Sequence, residues 1–229
     1  MDICFVLVRP AVPENIGAAA RALKTMGFAQ LRIVGSEAHR EKPARILAHA
    51  STDILDNAEA FADLDAALLD VDFAIGTSAK NRHDKRYNFA PAQLRNAIAS
   101  KGASVQRVAI VFGCEESGLS NNELDRCDAL STIPLATTYP SLNLAQSVML
   151  YAYELSQIEH AQSEKIADAE EWSALKMRVS ELLDRLDVPG DGKLRAWALE
   201  RLASATQEDV GFLHMLCRHV ECGGGGSGR

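Results

Sequence analysis

The sequence has few cysteines and no long apolar run, and both absences restrict the class of protein. Its five cysteines are scattered, and no C-x-x-C pair occurs, which favours reduced thiols over a disulfide framework. No apolar stretch approaches the roughly 18 residues that a membrane-spanning helix needs. The opening MDICFVLVRP lacks the charged and apolar regions of a signal peptide. We therefore expect a cytoplasmic protein without a membrane segment.

The chain also lacks net positive charge, at −7 with an isoelectric point near 5.4. Taken alone, this balance argues against a nucleic-acid partner, because phosphate binding requires positive surface. Net charge is a sum, however, and association depends on local patches. Basic residues cluster at 40–45 and 80–86, whereas the acidic residues concentrate after residue 150. Charge therefore leaves two interpretations open, solvated loops or a local RNA-facing surface.

What the sequence does contain is a series of short, nearly continuous apolar segments. Those that predict strands cover 3–8, 31–34, 72–78, 107–113 and 130–135. Helical spacing predicts helices over 14–26, 91–100 and 143–160, and a helix-rich segment over 43–69 with a short strand near Ile54. Apolar strands that alternate with helices are typical of a parallel α/β sheet covered on both faces.

The pattern changes near residue 164, beyond which no strand-like segment occurs. Amphipathic spacing predicts helices over 171–186, 194–205 and 209–220, which form an acidic helical extension. We therefore predict an α/β domain over 1–160 and a helical extension over 164–222. The tail 223–229 has the composition of a flexible linker or tag remnant and carries no argument.

Ligands of parallel α/β sheets bind beyond the carboxyl ends of the strands, which makes the loops 76–86, 113–122 and 134–143 candidates. Glycines flank acidic residues in the second loop, and small polar residues precede two cations in the first. In the third, Ser141 is predicted to be the N-cap of the following helix. Taken singly, each feature also fits an ordinary turn or cap.

Together with the first helix, these loops resemble the three motifs of the SpoU family of RNA ribose methyltransferases, within the SPOUT class. The first motif, N-x-G-x-x-x-R, corresponds to Asn15, Gly17 and Arg21. The second and third, G-x-E-x-x-G-L and I-P followed by S-L-N, correspond to these residues: Gly113, Glu115, Gly118, Leu119, Ile133, Pro134, Ser141, Leu142 and Asn143. The resemblance covers 3 to about 158 and is strongest to the TrmJ- and LasT-like branch.

The resemblance implies a SPOUT fold, with a mostly parallel sheet and a C-terminal trefoil knot, that functions as a homodimer. Periodicity alone would not suggest a knot, because knots are among the rarest topologies. The implied methyl donor is S-adenosylmethionine, bound within the knot loops. Its implied binding residues are Thr77, Ser78, Ala79, Gly113, Ile133, Pro140, Ser141 and Leu142.

The implied reaction moves a methyl group to a ribose 2′-hydroxyl without a metal. The implied catalytic residues are Arg21, Asn143 and Glu115, and the implied RNA-binding residues are Asn15, Arg21, Lys80 and Arg82. Arg21 acts either as general base or as an electrostatic anchor for substrate phosphate and alkoxide. We favour the anchor, since a guanidinium normally stays protonated.

The implied substrate is tRNA, at the anticodon loop, or rRNA. One alternative is an RNA-binding SPOUT protein without catalysis, although such a protein need not keep Arg21, Glu115 and Asn143. A second alternative is a SPOUT enzyme that methylates a base. A small-molecule methyltransferase with a Rossmann-like fold is disfavoured, because RPAVPENIG supplies no glycine-rich loop after the first strand.

Overall fold

A computed structural model describes residues 1–79, 88–137, 141–158, 169–190, 192–205 and 207–223. Within these ranges the chain forms one seven-stranded parallel sheet in the order β3-β2-β1-β6-β4-β7-β5. The strands are β1 (Asp2–Val8), β2 (Gln30–Val34), β3 (Glu59–Phe61), β4 (Phe73–Thr77), β5 (Asn88–Phe89), β6 (Arg107–Phe112) and β7 (Ala129–Ser131). The predicted parallel α/β class is confirmed. The trefoil knot stays a prediction.

Helices cover both faces of the sheet, which explains why its strands are apolar throughout. They are α1 (Pro13–Thr25), α2 (Lys42–Ala48), α3 (Thr52–Asp56), α4 (Leu64–Ala67), α5 (Pro91–Ser100), α6 (Asn121–Leu124) and α7 (Leu144–Ser156). On β1, Phe5 and Leu7 join the larger core that includes α1 and α7. Cys4, Val6 and Val8 join a smaller core with α4 and α6. Successive residues of a strand thus serve opposite faces.

Most predicted elements occur within a residue or two of their predicted bounds, but the prediction of a strand near Ile54 was wrong. Ile54 is a buried residue of α3, and the strand of this region is β3, which pairs with β2 at the edge of the sheet. β3 has three residues, none of them fully buried, so it carries little apolar signal. β7 ends at Ser131 rather than at 135, because the chain then leaves the sheet.

The prediction that Ser141 caps the long helix was also wrong. Asn143 is the N-cap, and its Oδ1 accepts a hydrogen bond from the Ala145 N–H at 2.8 Å. The Gln146 side chain accepts from the Asn143 N–H at 3.0 Å and completes a capping box. The helix therefore begins at Leu144, and Asn143 occupies a position for which asparagine is well suited.

Three further helices follow: α8 (Ala169–Arg185), α9 (Lys193–Ser204) and α10 (Gln207–Gly223). They pack at the amino ends of the strands. Trp172 is buried against the main core, Ser173 Oγ lies 3.3 Å from a carboxylate oxygen of Asp72, and Lys176 pairs with Asp128. Across the described ranges, no helix is both long and apolar enough to cross a bilayer.

Candidate functional site

The loops that carry the three motifs, together with the 77–79 segment, follow four neighbouring strands at the same edge of the sheet. β1, β6, β4 and β7 are consecutive in the sheet and parallel, so their carboxyl ends lie side by side. The first motif follows β1 and the second follows β6. The 77–79 segment ends β4, and the third motif follows β7. The fold thus gathers motifs that are more than a hundred residues apart in the chain.

The carboxylate of Glu115 binds the loop that follows β1. It accepts hydrogen bonds from the N–H groups of Ala11 and Val12, at 2.9 and 3.3 Å, and from Nδ2 of Asn15 at 2.8 Å. Partial burial raises the pKa of Glu115, but these three donors outweigh it, and the pKa lies below its ordinary value. Glu115 therefore remains an anion that holds the second motif to the first.

Asn15 extends this contact to the third motif. While its Nδ2 donates to Glu115, its Oδ1 accepts a hydrogen bond from Nδ2 of Asn143 at 2.7 Å. Asn143 in turn caps α7 through its Oδ1. We call Glu115, Asn15 and Asn143 the polar relay. It joins one side chain from each motif, and it orients both asparagine amides because every hydrogen bond in it has a single direction.

A second polar contact between the same loops was not predicted from the sequence. Arg9, directly after β1, forms a two-pronged ion pair with Glu123, with Nη2 to Oε2 at 3.1 Å. Hydrogen bonding to Arg9 and Ser120 lowers the pKa of Glu123 to about 2, against a smaller effect of burial. The S-x-x-E pattern of Ser120 and Glu123 is a capping-box signature that could have indicated this position.

Two motif glycines are required by close backbone approach. A Cβ on Gly17 would lie 2.0 Å from the carbonyl oxygen of Ala44, so this glycine lets α1 and α2 pack together. A Cβ on Gly113 would lie 2.0 Å from the carbonyl carbon of Gly118. The loop folds back there, since the Gly118 N–H donates to the Cys114 carbonyl at 2.9 Å. Both glycines shape the site without contributing chemistry.

Arg21 lies on the same helix as Asn15 but is not part of the polar relay. Six residues advance the helix by about 9 Å and by about 240°, so the two side chains leave α1 in different directions. Arg21 is exposed. Within the described ranges, no hydrogen bond or ion pair joins its guanidinium to Asn15, Glu115 or Asn143. Arg21 is thus a solvent-facing cation on the helix that also carries Asn15.

The residues that the resemblance implies for binding S-adenosylmethionine lie around the ends of β4, β6 and β7. The Thr77 hydroxyl donates to the Val111 carbonyl at 2.9 Å, and the Ser78 N–H donates to the Ser131 carbonyl at 3.0 Å. Partly buried members are Thr77, Ser78, Gly113, Ile133 and Leu142, and exposed members are Ala79 and Ser141. The predictions for Pro140, Lys80 and Arg82 fall outside the described residues.

The end of β7 also contains a buried hydroxyl pair. Tyr151 of α7 donates to Ser131 Oγ at 2.8 Å, and Ser131 Oγ donates to the Phe89 carbonyl at 2.7 Å. Burial raises the pKa of Tyr151, so it stays a neutral donor. The next hydroxyl, that of Thr132, is buried and has no hydrogen-bond partner among the described residues. In that part of the chain, no group of three or more His, Cys, Asp or Glu side chains is arranged to hold a metal ion.

Comparisons with known proteins agree with this geometry. A model of the SpoU rRNA Methylase family matches residues 2–153, which contain the whole sheet and all three motifs. A model described as the C-terminal domain of the tRNA/rRNA methyltransferase LasT matches residues 169–222, the segment of α8 to α10.

The similarity to individual relatives covers most of the chain. It is 44% identical over 223 residues to the protein "Uncharacterized tRNA/rRNA methyltransferase LasT" of Escherichia coli, covering 96% of this chain and 98% of that protein. It is 35% identical to "tRNA (cytidine/uridine/adenosine-2'-O-)-methyltransferase TrmJ" of Pseudomonas aeruginosa, covering 92% and 79%. The solved structure of a probable methylase family protein from Haemophilus influenzae superimposes with a TM-score of 0.68 at 29% identity, covering 96% and 95%. With its motifs joined at one sheet edge, the chain belongs to the SpoU family of RNA methyltransferases.

Proposed function

We propose that this protein transfers a methyl group from S-adenosylmethionine to a ribose 2′-hydroxyl of tRNA. The observation that carries the proposal is the polar relay, which joins one side chain of each motif at the carboxyl edge of the sheet. The relatives support the substrate, since the Pseudomonas aeruginosa protein is described as a tRNA 2′-O-methyltransferase. tRNA is therefore the first substrate to test, and rRNA the second.

The strand-end loops fit a donor that is polar at one end and aromatic at the other. Ile133 and Leu142 offer partly buried apolar surface on which an adenine could rest. Thr132 adds a buried hydroxyl without a partner among the described residues, which a bound polar group could satisfy. When bound, S-adenosylmethionine would supply an electrophilic methyl group on its sulfonium. Thr77, Ser78, Ala79, Gly113, Ile133, Pro140, Ser141 and Leu142 would hold it.

Arg21 supplies the charge that the reaction needs. A ribose hydroxyl becomes a nucleophile as its proton leaves, and negative charge then develops on its oxygen. A permanently protonated guanidinium stabilises that charge and binds the neighbouring phosphate. Lys80 and Arg82 would bind further phosphates, and Asn15, Glu115 and Asn143 would keep the loops in register around the hydroxyl.

The proposal includes a homodimer. Arg21 is exposed, and its guanidinium makes no contact with the polar relay of its own chain in the described ranges. In a two-fold dimer it would face the donor loops of the partner subunit, so that each site draws on both chains. The proposed catalytic domain spans 1–160, the knot loops lie within it, and 164–222 forms a separate extension. We expect the enzyme to act in the cytoplasm.

The deciding experiment measures transfer of radiolabelled methyl from S-adenosylmethionine to bulk tRNA and, separately, to rRNA. Both RNAs come from a strain that lacks the gene, so that the target position is unmodified. Label recovered as a 2′-O-methylnucleoside in tRNA is the expected result. Label on a base would replace the proposal with base methylation, and donor binding without label in either RNA would indicate an RNA-binding protein without catalysis.

A further inference from the structure

Tyr151 is the buried residue of α7 that contacts the ends of two site-forming strands. It is only 2% exposed, and it lies two turns beyond the relay residue Asn143 that begins the helix. Its hydroxyl reaches Ser131, the last residue of β7, and its ring packs edge-on against Phe112, the last residue of β6. Phenylalanine would provide the same apolar packing, so the distinct contribution of the hydroxyl is its hydrogen bond to Ser131.

Hydrogen bonds connect the Tyr151 hydroxyl to the loops that are predicted to bind the methyl donor. Ser131 receives its hydrogen bond at 2.8 Å, and the main-chain carbonyl of Ser131 accepts the Ser78 N–H at 3.0 Å. Ser131 Oγ donates its own hydrogen to the Phe89 carbonyl, so it accepts the hydrogen bond from Tyr151. One buried hydroxyl is thus connected to β5, to the end of β7 and to the segment that follows β4.

The Tyr151 ring contacts Phe112, the residue directly before the second motif. Its ring centroid lies 5.5 Å from that of Phe112 at an interplanar angle of 79°, and Phe112 stacks in turn on Phe5 of β1. Gly113 follows Phe112 directly and packs closely against Gly118, since a Cβ added to it would lie 2.0 Å from the Gly118 carbonyl carbon. Phe112 thus connects the Tyr151 ring to Gly113, the first residue of the second motif.

We propose that Tyr151 is a positioning residue for methyl-donor binding, which it supports by holding Ser131 and Phe112 at the ends of β7 and β6. This inference rests on the proposed function. Tyr151 acts through other residues and touches neither donor nor RNA. Its hydroxyl sets the spacing between the 77–79 segment and the 131–133 segment, and its ring sets the position of Gly113.

The test is titration of S-adenosylmethionine into the full chain by calorimetry, followed by steady-state kinetics with tRNA. Tyr151→Phe retains the ring and removes only the hydroxyl. We expect the Kd of this variant for S-adenosylmethionine to rise about three- to tenfold, the range that the loss of one hydrogen bond produces. The kcat at saturating donor and the KM for tRNA should stay within about twofold of wild type. Tyr153→Phe is the matched control, since Tyr153 lies on the same helix and is 53% exposed.

Ser131→Ala provides a second variant on the other side of the bond. If the two hydroxyls act through each other, adding Tyr151→Phe to Ser131→Ala should raise the donor Kd no further. Wild-type donor affinity in Tyr151→Phe would overturn the inference, as would a change confined to the KM for tRNA. Absence of donor binding by the wild-type chain would instead refute the proposed function, so the two failures are distinguishable.

Discussion

At the scale of single residues, Glu115 and Arg21 differ in whether the described part of the chain holds their charge in place. Glu115 accepts three hydrogen bonds and serves as a structural anion between two loops. Arg21 is exposed, and we propose that its charge binds substrate phosphate. We therefore predict different phenotypes for substitutions at Glu115 and its relay partners and for substitutions at Arg21.

Arg21→Ala should reduce methyl transfer about a hundredfold or more, because the charge that stabilises the developing alkoxide is removed. The affinity for S-adenosylmethionine should be unchanged, since Arg21 contacts none of the described residues that are predicted to bind it. Arg126→Ala is the control, because Arg126 is a half-exposed arginine at the opposite edge of the sheet, paired with Asp65. The measurements are single-turnover transfer and calorimetric donor binding. Normal turnover by Arg21→Ala would show that the assignment of its role is wrong.

Asn143 combines two roles that one substitution can separate. Asn143→Asp keeps an oxygen for the Ala145 N–H, so the helix cap and the melting temperature should be retained. It removes the amide that donates to Asn15 and places a carboxylate near Glu115, which breaks the polar relay. We expect transfer to fall about tenfold or more. Asn143→Ala, in contrast, should also cost about 1 kcal/mol of stability through the lost cap.

At the scale of elements, the first motif has a packing role that is separate from its proposed catalytic role. α1 bears Asn15 and Arg21 on a helix whose position is set by contact with α2 at Gly17. Asn15 on this helix hydrogen-bonds both Glu115 and Asn143, so the position of α1 affects the polar relay. Gly113 has the same function within the second motif.

Gly17→Ala should destabilise the fold by about 1–3 kcal/mol, because the new methyl group would overlap the Ala44 carbonyl and force α1 and α2 apart. Gly190→Ala is the control, since a Cβ there meets no atom within 4 Å and the backbone is not in the left-handed region. Urea unfolding of both variants measures the difference. Equal midpoints would mean that the helices tolerate the added methyl and that Gly17 has another role.

At the scale of the whole molecule, the helical extension is attached at the edge of the sheet opposite the candidate site. Lys101 lies at this junction, 1% exposed, with Nζ 3.1 Å from the Ala205 carbonyl. Nζ also lies 4.3 Å from the ring centroid of Phe73 and 4.0 Å from that of Trp172. One buried amine therefore contacts the sheet, α8 and the end of α9 together.

Burial lowers the pKa of Lys101 from 10.5 to about 7, an effect that Asp128 partly opposes. Between pH 7 and 10.5 the unfolded chain binds a proton at this lysine that the folded chain does not. The contribution of Lys101 to the free energy of unfolding therefore rises with pH across that window. Below the window, the cost of burying the charged amine is fully present. Lys101→Met should lose this rise, whereas exposed Lys42→Met should keep it. Unfolding free energies at pH 7 and pH 9.5 test this, and parallel profiles for wild type and Lys101→Met would contradict it.

The predictability of each element followed the strength of its local signal. β1 and β6 are continuous apolar segments and were predicted within one residue. β3 and β5, with three and two residues, form only by pairing along the sheet and carry no pattern of their own. Ser141 and Asn143 are both good capping residues, and Asn143 differs in having Gln146 three residues later to complete a capping box and in its tertiary contact with Asn15.

The sequence by itself determined the parallel α/β class and the helices of the extension, because local periodicity encodes these, and its motif residues were identified by resemblance to the SpoU family. Tertiary structure alone decided the connections between distant residues. Examples are the polar relay across 128 positions, the Arg9–Glu123 ion pair and the burial of Lys101. The physical reason is that a hydrogen bond or a buried charge depends on separation in space, which only the completed sheet establishes.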